Sequence, residues 1–111
     1  MKLQVTFRNF DHTEALDGII RKKSAKLKKF ASPNAHITWN CFVDSNDQVC
    51  EVNVSGFHGP DISAKAKSES LYKTVDMVID KLEAQLKKRH RMMNAKVHDK
   101  RARNFDSAEA S

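Results

Sequence analysis

Lys22, Lys26 and Lys29 recur at spacings of four and three residues, and Lys81 and Lys88 stand seven apart with Gln85 between them. On a helix such spacings bring ammonium groups to one side, where they can neutralise an array of phosphates. No competing chemistry is spelled out. His12, His36, His58, His90 and His98 show no ligand spacing with one another or with Cys41 and Cys50, so no metal and no other cofactor is expected. There is no P-loop, dinucleotide fingerprint or nucleophile elbow, so no catalytic residue is assigned and an enzyme is the least expected class. Asp76 and Asp80 lie among lysines at helical spacing, which reads as intrahelical pairing rather than acid–base work.

The elements that must hold these lysines are the ones that carry the charge. The chain has 111 residues and a net charge of +6. Between Glu14 and Phe30, Arg21, Lys22, Lys23, Lys26, Lys28 and Lys29 face only Glu14 and Asp17, a net of +4. Between Ser68 and Arg91 the balance is +2, whereas Ala31 to Lys67 is −2. Cations fixed on rigid helices make a standing field that a polyphosphate partner reads. The length suits one domain with a short tail. No apolar run approaches the roughly 20 residues of a membrane span, and no signal peptide is visible, so a cytoplasmic protein is expected. In that compartment Cys41 and Cys50 read as free, buried thiols.

Alternation of Leu3, Val5 and Phe7 with polar residues predicts a first strand. Thr13 is a good helix N-cap, with Asp11 offering a second register. Leu16, Ile19, Ile20, Leu27 and Phe30 form one apolar stripe, with Lys23 near its middle, and Pro33 ends the segment. Strands follow at about His36–Val43, Val49–Ser55 and Ile62–Lys67. Asp44-Ser45-Asn46-Asp47 is the turn between the first two, and the hairpin register pairs odd with even residues, for example Cys41 with Val52. Gly56-Phe57-His58-Gly59 spells the GxxG of KH domains, but between two strands it is a turn. Leu71, Val75, Val78, Ile79, Leu82 and Leu86 make the stripe of a second helix, Ser68 to Arg91, after which the pattern fails. Trp39 and Tyr72, on or beside apolar faces, read as core and core edge rather than base-stacking platforms. The fold class is α+β, β-α-β-β-β-α: a four-stranded sheet with both helices packed on one face. Residues 1–93 form the domain and 94–111 a flexible charged tail.

Several residues carry a family resemblance. Thr13-Glu14-Ala15-Leu16 follows the opening strand. Lys23-Ser24-Ala25-Lys26-Leu27-Lys28-Lys29-Phe30 ends the first helix. The second helix holds Leu71-Tyr72, Val75-Asp76, Ile79-Asp80-Lys81-Leu82-Glu83, Gln85-Leu86 and Lys88. Over roughly residues 1 to 92 the chain resembles the short ribosome hibernation-promoting factors and their paralogue, ribosome-associated inhibitor A (protein Y). The resemblance implies this same fold, related in shape to double-stranded RNA-binding domains. It also implies binding to the small ribosomal subunit, in the channel of messenger RNA and the A- and P-site transfer RNAs, with inhibition of translation in stationary phase or stress. Carried over by position, Lys23, Lys26, Lys81, Gln85 and Lys88 are the implied ribosomal RNA contacts. Lys22 and Lys29 share the first helix's basic side, and Arg89 and Arg91 stand near Ala84, where the family often has arginine. Long members carry a further C-terminal dimerisation domain, which is not expected within these 111 residues.

If the lysine sides of the two helices face each other, they line a basic groove suited to A-form RNA, which is read through shape and phosphates. Lys23 then either snorkels from the apolar stripe or reaches that groove. Ribosomal RNA of the small subunit is the expected partner of a protein that is a monomer when free, with no membrane and no small-molecule substrate. A generic double-stranded RNA module and a basic protein-interaction module are the alternatives.

Overall fold

Apolar–polar alternation produces four strands, and period-3.6 stripes produce the helices that cover one face of them. The structure, a computed structural model, describes residues 1–8 and 13–105, with side chains through Asn94 in the last helix. The elements are β1 (Lys2–Arg8), α1 (Glu14–Ser24), a 3₁₀ segment (Ala25–Phe30), β2 (His36–Asp44), β3 (Asp47–Ser55), β4 (Ile62–Ser68) and α2 (Leu71–Phe105). The order β-α-β-β-β-α is the expected one. The sheet order is β1-β2-β3-β4, with β1 parallel to β2 and the remaining pairs antiparallel.

Thr13 caps α1, its Oγ1 accepting from the Leu16 amide at 3.1 Å. The alternative start at Asp11 lies outside the described residues. The first helix was expected to be one α-helix from Glu14 to Phe30; it tightens to 3₁₀ winding after Ser24. The inward residues there are Ser24, Leu27 and Phe30, at spacings of three, and a three-residue turn lines them up on one row.

The β2–β3 hairpin pairs odd with even residues, as the alternation requires, but the example register is corrected. Cys41 opposes Cys50, and Trp39 opposes Val52. The cause is a tight turn of only Ser45 and Asn46 between Asp44 and Asp47, with Ser45 in the left-handed region at φ 56°. Cys41 and Cys50 are free, buried thiols, their Sγ atoms 3.4 Å apart. The hydrogen bond with Cys41, followed by burial, pushes the Cys50 thiol well above the ordinary range.

The core lies between the helices and the sheet face bearing Ile37, Trp39, Cys41, Cys50, Val52, Val54, Ile62, Ala64 and Ala66. The α2 stripe from Leu71 to Leu86 is buried as expected. Phe57 was assigned only to a turn, yet it is buried and joins the core. Its loop is possible because Gly56 sits at φ 74°, where a Cβ would come within 2.8 Å of the Ala35 and Asn34 backbone.

The second helix is corrected at both ends. Ser68 closes β4 instead of opening the helix: its hydroxyl donates to the Ser70 carbonyl and accepts from the Ser70 amide. Buried Thr74 donates to the Gln48 carbonyl at 2.8 Å, seating the first turn on β3. At the far end α2 continues to Phe105 rather than stopping near Arg91. Loss of the apolar stripe ends packing, not backbone hydrogen bonding, and Ala95, Lys96, Arg101, Ala102 and Arg103 are good helix formers. Residues 106–111, the end of the expected tail, lie outside the described residues. Among the described residues, no helix is long and apolar enough to cross a membrane.

Candidate nucleic-acid interface

The cations divide by what already holds them. Arg21 pairs with Asp17, Lys65 with Glu51, Lys67 with Asp47, Lys73 with Glu69 and Lys87 with Glu83. These exposed pairs stabilise little, typically under about 1 kcal/mol each. Lys22, Lys26, Lys29, Lys88 and Arg91 have no acidic partner among the described residues. They are exposed, so their charge is available to a ligand.

Lys23 leaves the apolar stripe by reaching across to α2. Its Nζ lies 2.6 Å from the Asp76 carboxylate, with a third of the side chain exposed. The stem packs and the head is ion-paired, so Lys23 both snorkels and ties α1 to α2. A cleft beside this pair is lined by Ile19, Lys22, Lys23, Lys26, Tyr72 and Asp76. Tyr72, expected at the core edge, is instead 50% exposed. Trp39 is core as expected, its indole N–H donating to Ser24 Oγ at 2.9 Å.

The expected groove between facing lysine sides is not formed. Lys81 donates to the Lys65 carbonyl of β4 at 2.7 Å, and Gln85 and Lys88 line a cleft with Gly59, Pro60 and Ile62. Those residues occupy the β4 flank of α2, whereas Lys22, Lys23 and Lys26 occupy the α1 flank with Asp76. Helical geometry explains the difference: 72 and 76 lie roughly 120–180° around the axis from 81 and 88, at 3.6 residues per turn. The two basic sets therefore stand on opposite sides of one helix, with its solvent ridge between them.

Arg89 does something sequence reasoning missed. Its Nη1 donates to the Phe57 carbonyl at 3.1 Å and its Nη2 to the Pro60 carbonyl at 2.8 Å. The guanidinium clamps the 57–60 turn, and Gly59 leaves room for it, since a Cβ there would lie 2.8 Å from its central carbon. A signal for this existed: Arg89 follows Leu82 by seven and Leu86 by three, so its stem extends the apolar stripe. Ala84 is exposed on the solvent side of α2. No group of three or more histidine, cysteine or carboxylate side chains that could hold a metal occurs among the described residues.

The arrangement offers cations on two flanks, with hydrogen-bonding and aromatic groups beside them. Residues 3–94 match the family model described as Sigma 54 modulation protein / S30EA ribosomal protein. The chain is 32% identical over 90 residues to a ribosome hibernation promoting factor of Escherichia coli (strain K12), covering 79% of this chain and 92% of that one. It is 30% identical over 88 residues to the factor of that name from Klebsiella oxytoca, covering 79% and 92%. A solved ribosomal subunit interface protein from Coxiella burnetii superposes with a TM-score of 0.72 at 30% identity, over 81% of this chain and 98% of that one. The N-terminal domain of Thermus thermophilus Protein Y has the same fold, with a TM-score of 0.68 at 24% identity, over 78% and 93%.

Proposed function

Because the chain belongs to the Sigma 54 modulation protein / S30EA ribosomal protein family, we propose that it is a ribosome hibernation factor. It binds the small ribosomal subunit in the channel of messenger RNA and the A- and P-site transfer RNAs. There it inhibits translation in stationary phase or stress. The observation that supports this reading best is the placement of unneutralised cations on both flanks of α2. A body entering an RNA-walled passage meets phosphates on more than one side, and cations confined to a single groove would engage only one wall.

In this reading Lys22, Lys26 and Lys29 meet RNA on the α1 flank, and Lys81, Gln85, Lys88 and Arg91 meet it on α2. Lys23 and Arg89 contribute by position: one fixes the distance between helices, the other holds the turn beside Gln85 and Lys88. Each ammonium that meets a phosphate releases counterions, so affinity falls steeply with salt. No reaction is required. The protein acts as a cytoplasmic monomer, and occupancy of the passage is its mechanism.

The test is a pair of measurements on the purified chain: sedimentation with ribosomal subunits, and cell-free protein synthesis at stoichiometric excess. Co-sedimentation with the small subunit and loss of synthesis are expected. Protein that stays at the top of the gradient and leaves synthesis untouched would overturn the reading.

A further inference from the structure

Tyr72 is a large aromatic side chain with half its surface in water, and its hydroxyl has no hydrogen-bond partner among the described residues. It lies on the first turn of α2, outside the buried stripe that begins at Leu71. The cleft it shares with Ile19, Lys22, Lys23, Lys26 and Asp76 has a volume of about 440 Å³. That falls within the range of small-ligand sites, roughly 300–1,000 Å³.

The charges of the cleft select its occupant. Lys23 and Asp76 neutralise each other, with the carboxylate half-exposed and able to accept a further hydrogen bond. Lys22 and Lys26 remain, two positive charges with no acidic partner among the described residues. A flat aromatic face, two ammonium groups and a carboxylate acceptor are complementary to a planar group, a phosphate and a donor such as a sugar hydroxyl or exocyclic amine. Those three features together are a nucleotide. The cleft beside Phe30 and His90 is smaller at about 180 Å³, with its Phe57 buried and its Arg89 already bonded; the cleft beside Gln85 and Lys88 equals the Tyr72 cleft in volume, but no Phe, Tyr or Trp lines it.

We propose that the cleft between α1 and the first turn of α2 receives one unstacked RNA nucleotide, its base against Tyr72 and its phosphate on Lys22 and Lys26. This rests on the reading of the chain as a ribosome-binding factor and adds to its electrostatic contacts one made by stacking. Splayed bases stacked on aromatic side chains are a common means of holding RNA outside a duplex. A stacking contact tolerates any base, so the site grips without reading sequence.

The experiment compares the full chain with Tyr72→Ala and Tyr72→Phe in binding to purified small ribosomal subunits over a series of salt concentrations. Tyr72→Ala is expected to bind roughly 5- to 150-fold more weakly with an unchanged salt slope. Tyr72→Phe keeps the ring and is expected to bind like the parent. Thermal melting of both variants checks that the exposed position leaves the fold intact. If the parent binds and Tyr72→Ala binds within twofold of it, the nucleotide cleft is wrong while the ribosome-binding reading stands. Loss in Tyr72→Phe equal to that in Tyr72→Ala would show a hydroxyl contact in place of stacking and also overturn it. If the parent itself fails to bind, the reading beneath falls too. In a final arm, free adenosine 5′-monophosphate is expected not to displace the protein. Displacement at micromolar concentration would make the cleft a small-molecule site and overturn the RNA assignment.

Discussion

The indole N–H of Trp39 donates to the hydroxyl of Ser24 at 2.9 Å, and neither residue has any exposed surface. This bond fixes the last turn of α1 over the centre of β2, and with it the direction in which Lys22, Lys23 and Lys26 emerge. Replacing Ser24 with alanine leaves the indole donor buried without a partner. The expected cost is about 1–3 kcal/mol of stability, read as a lowered midpoint in urea unfolding followed by Trp39 emission. An unchanged midpoint would show that the contact is incidental.

Charge reversal separates the two flanks of α2. Lys22→Glu with Lys26→Glu removes cations on the α1 side, and Lys81→Glu with Lys88→Glu removes them on the β4 side. Each pair is expected to abolish or strongly weaken ribosome binding while the melting temperature stays near that of the parent, because the changed residues are exposed. The salt dependence of whatever binding remains is expected to flatten by about one unit per lost phosphate contact. If one pair has no effect on binding, that flank does not touch RNA.

Arg89 and Gly59 form a coupled pair. Arg89→Ala leaves the Phe57 and Pro60 carbonyls without their donor and loosens the turn that seats Phe57, an expected loss of about 1–3 kcal/mol. Arg89→Lys is expected to rescue little, since one ammonium cannot reproduce the forked geometry. Gly59→Ala places a methyl against the guanidinium and is also destabilising. In the double variant the clash disappears with the guanidinium, so the combined loss is expected to be smaller than the sum of the two. Strict additivity in a double-mutant cycle would refute the clamp.

Cys41 and Cys50 face each other inside the core, and Cys50 is held in its neutral thiol form. Both are expected to resist alkylation in the native state and to react together when the domain opens. Mass spectrometry of protein treated with iodoacetamide, native and in denaturant, distinguishes this from independent surface reactivity. A singly labelled native species forming quickly would contradict the buried pair.

The strands, the two helical stripes and their order were legible because each depends on local periodicity. Thr13 was legible as a cap for the same reason. The 3₁₀ segment was not, because Leu27 and Phe30 satisfy both a stripe of 3.6 and one of three. The hairpin register was legible only in parity, since alternation fixes which face a residue takes while the turn decides its partner. Helix α2 outran its pattern because apolar periodicity reports packing alone. Of the candidate site, the lysines that end free were visible from spacing. What each of the others does depends on carbonyls and carboxylates brought from distant elements: Asp76 for Lys23, Lys65 for Lys81, Phe57 and Pro60 for Arg89. The opposed flanks of α2 follow from where α1 and β4 pack, which spacing within one helix does not contain.

β1 is paired on one edge only, parallel to β2, and none of its side chains is fully buried. The β2–β3–β4 meander closes through short local connections, whereas β1 must wait for α1 to cross the sheet before its ladder exists. Loop-closure cost therefore orders the assembly, with β1 the last strand to dock. That makes β1 the seam of the domain: its amides are expected to exchange with deuterium ahead of those in β2 and β3, and a peptide of its sequence supplied in trans is expected to complement a chain that lacks it.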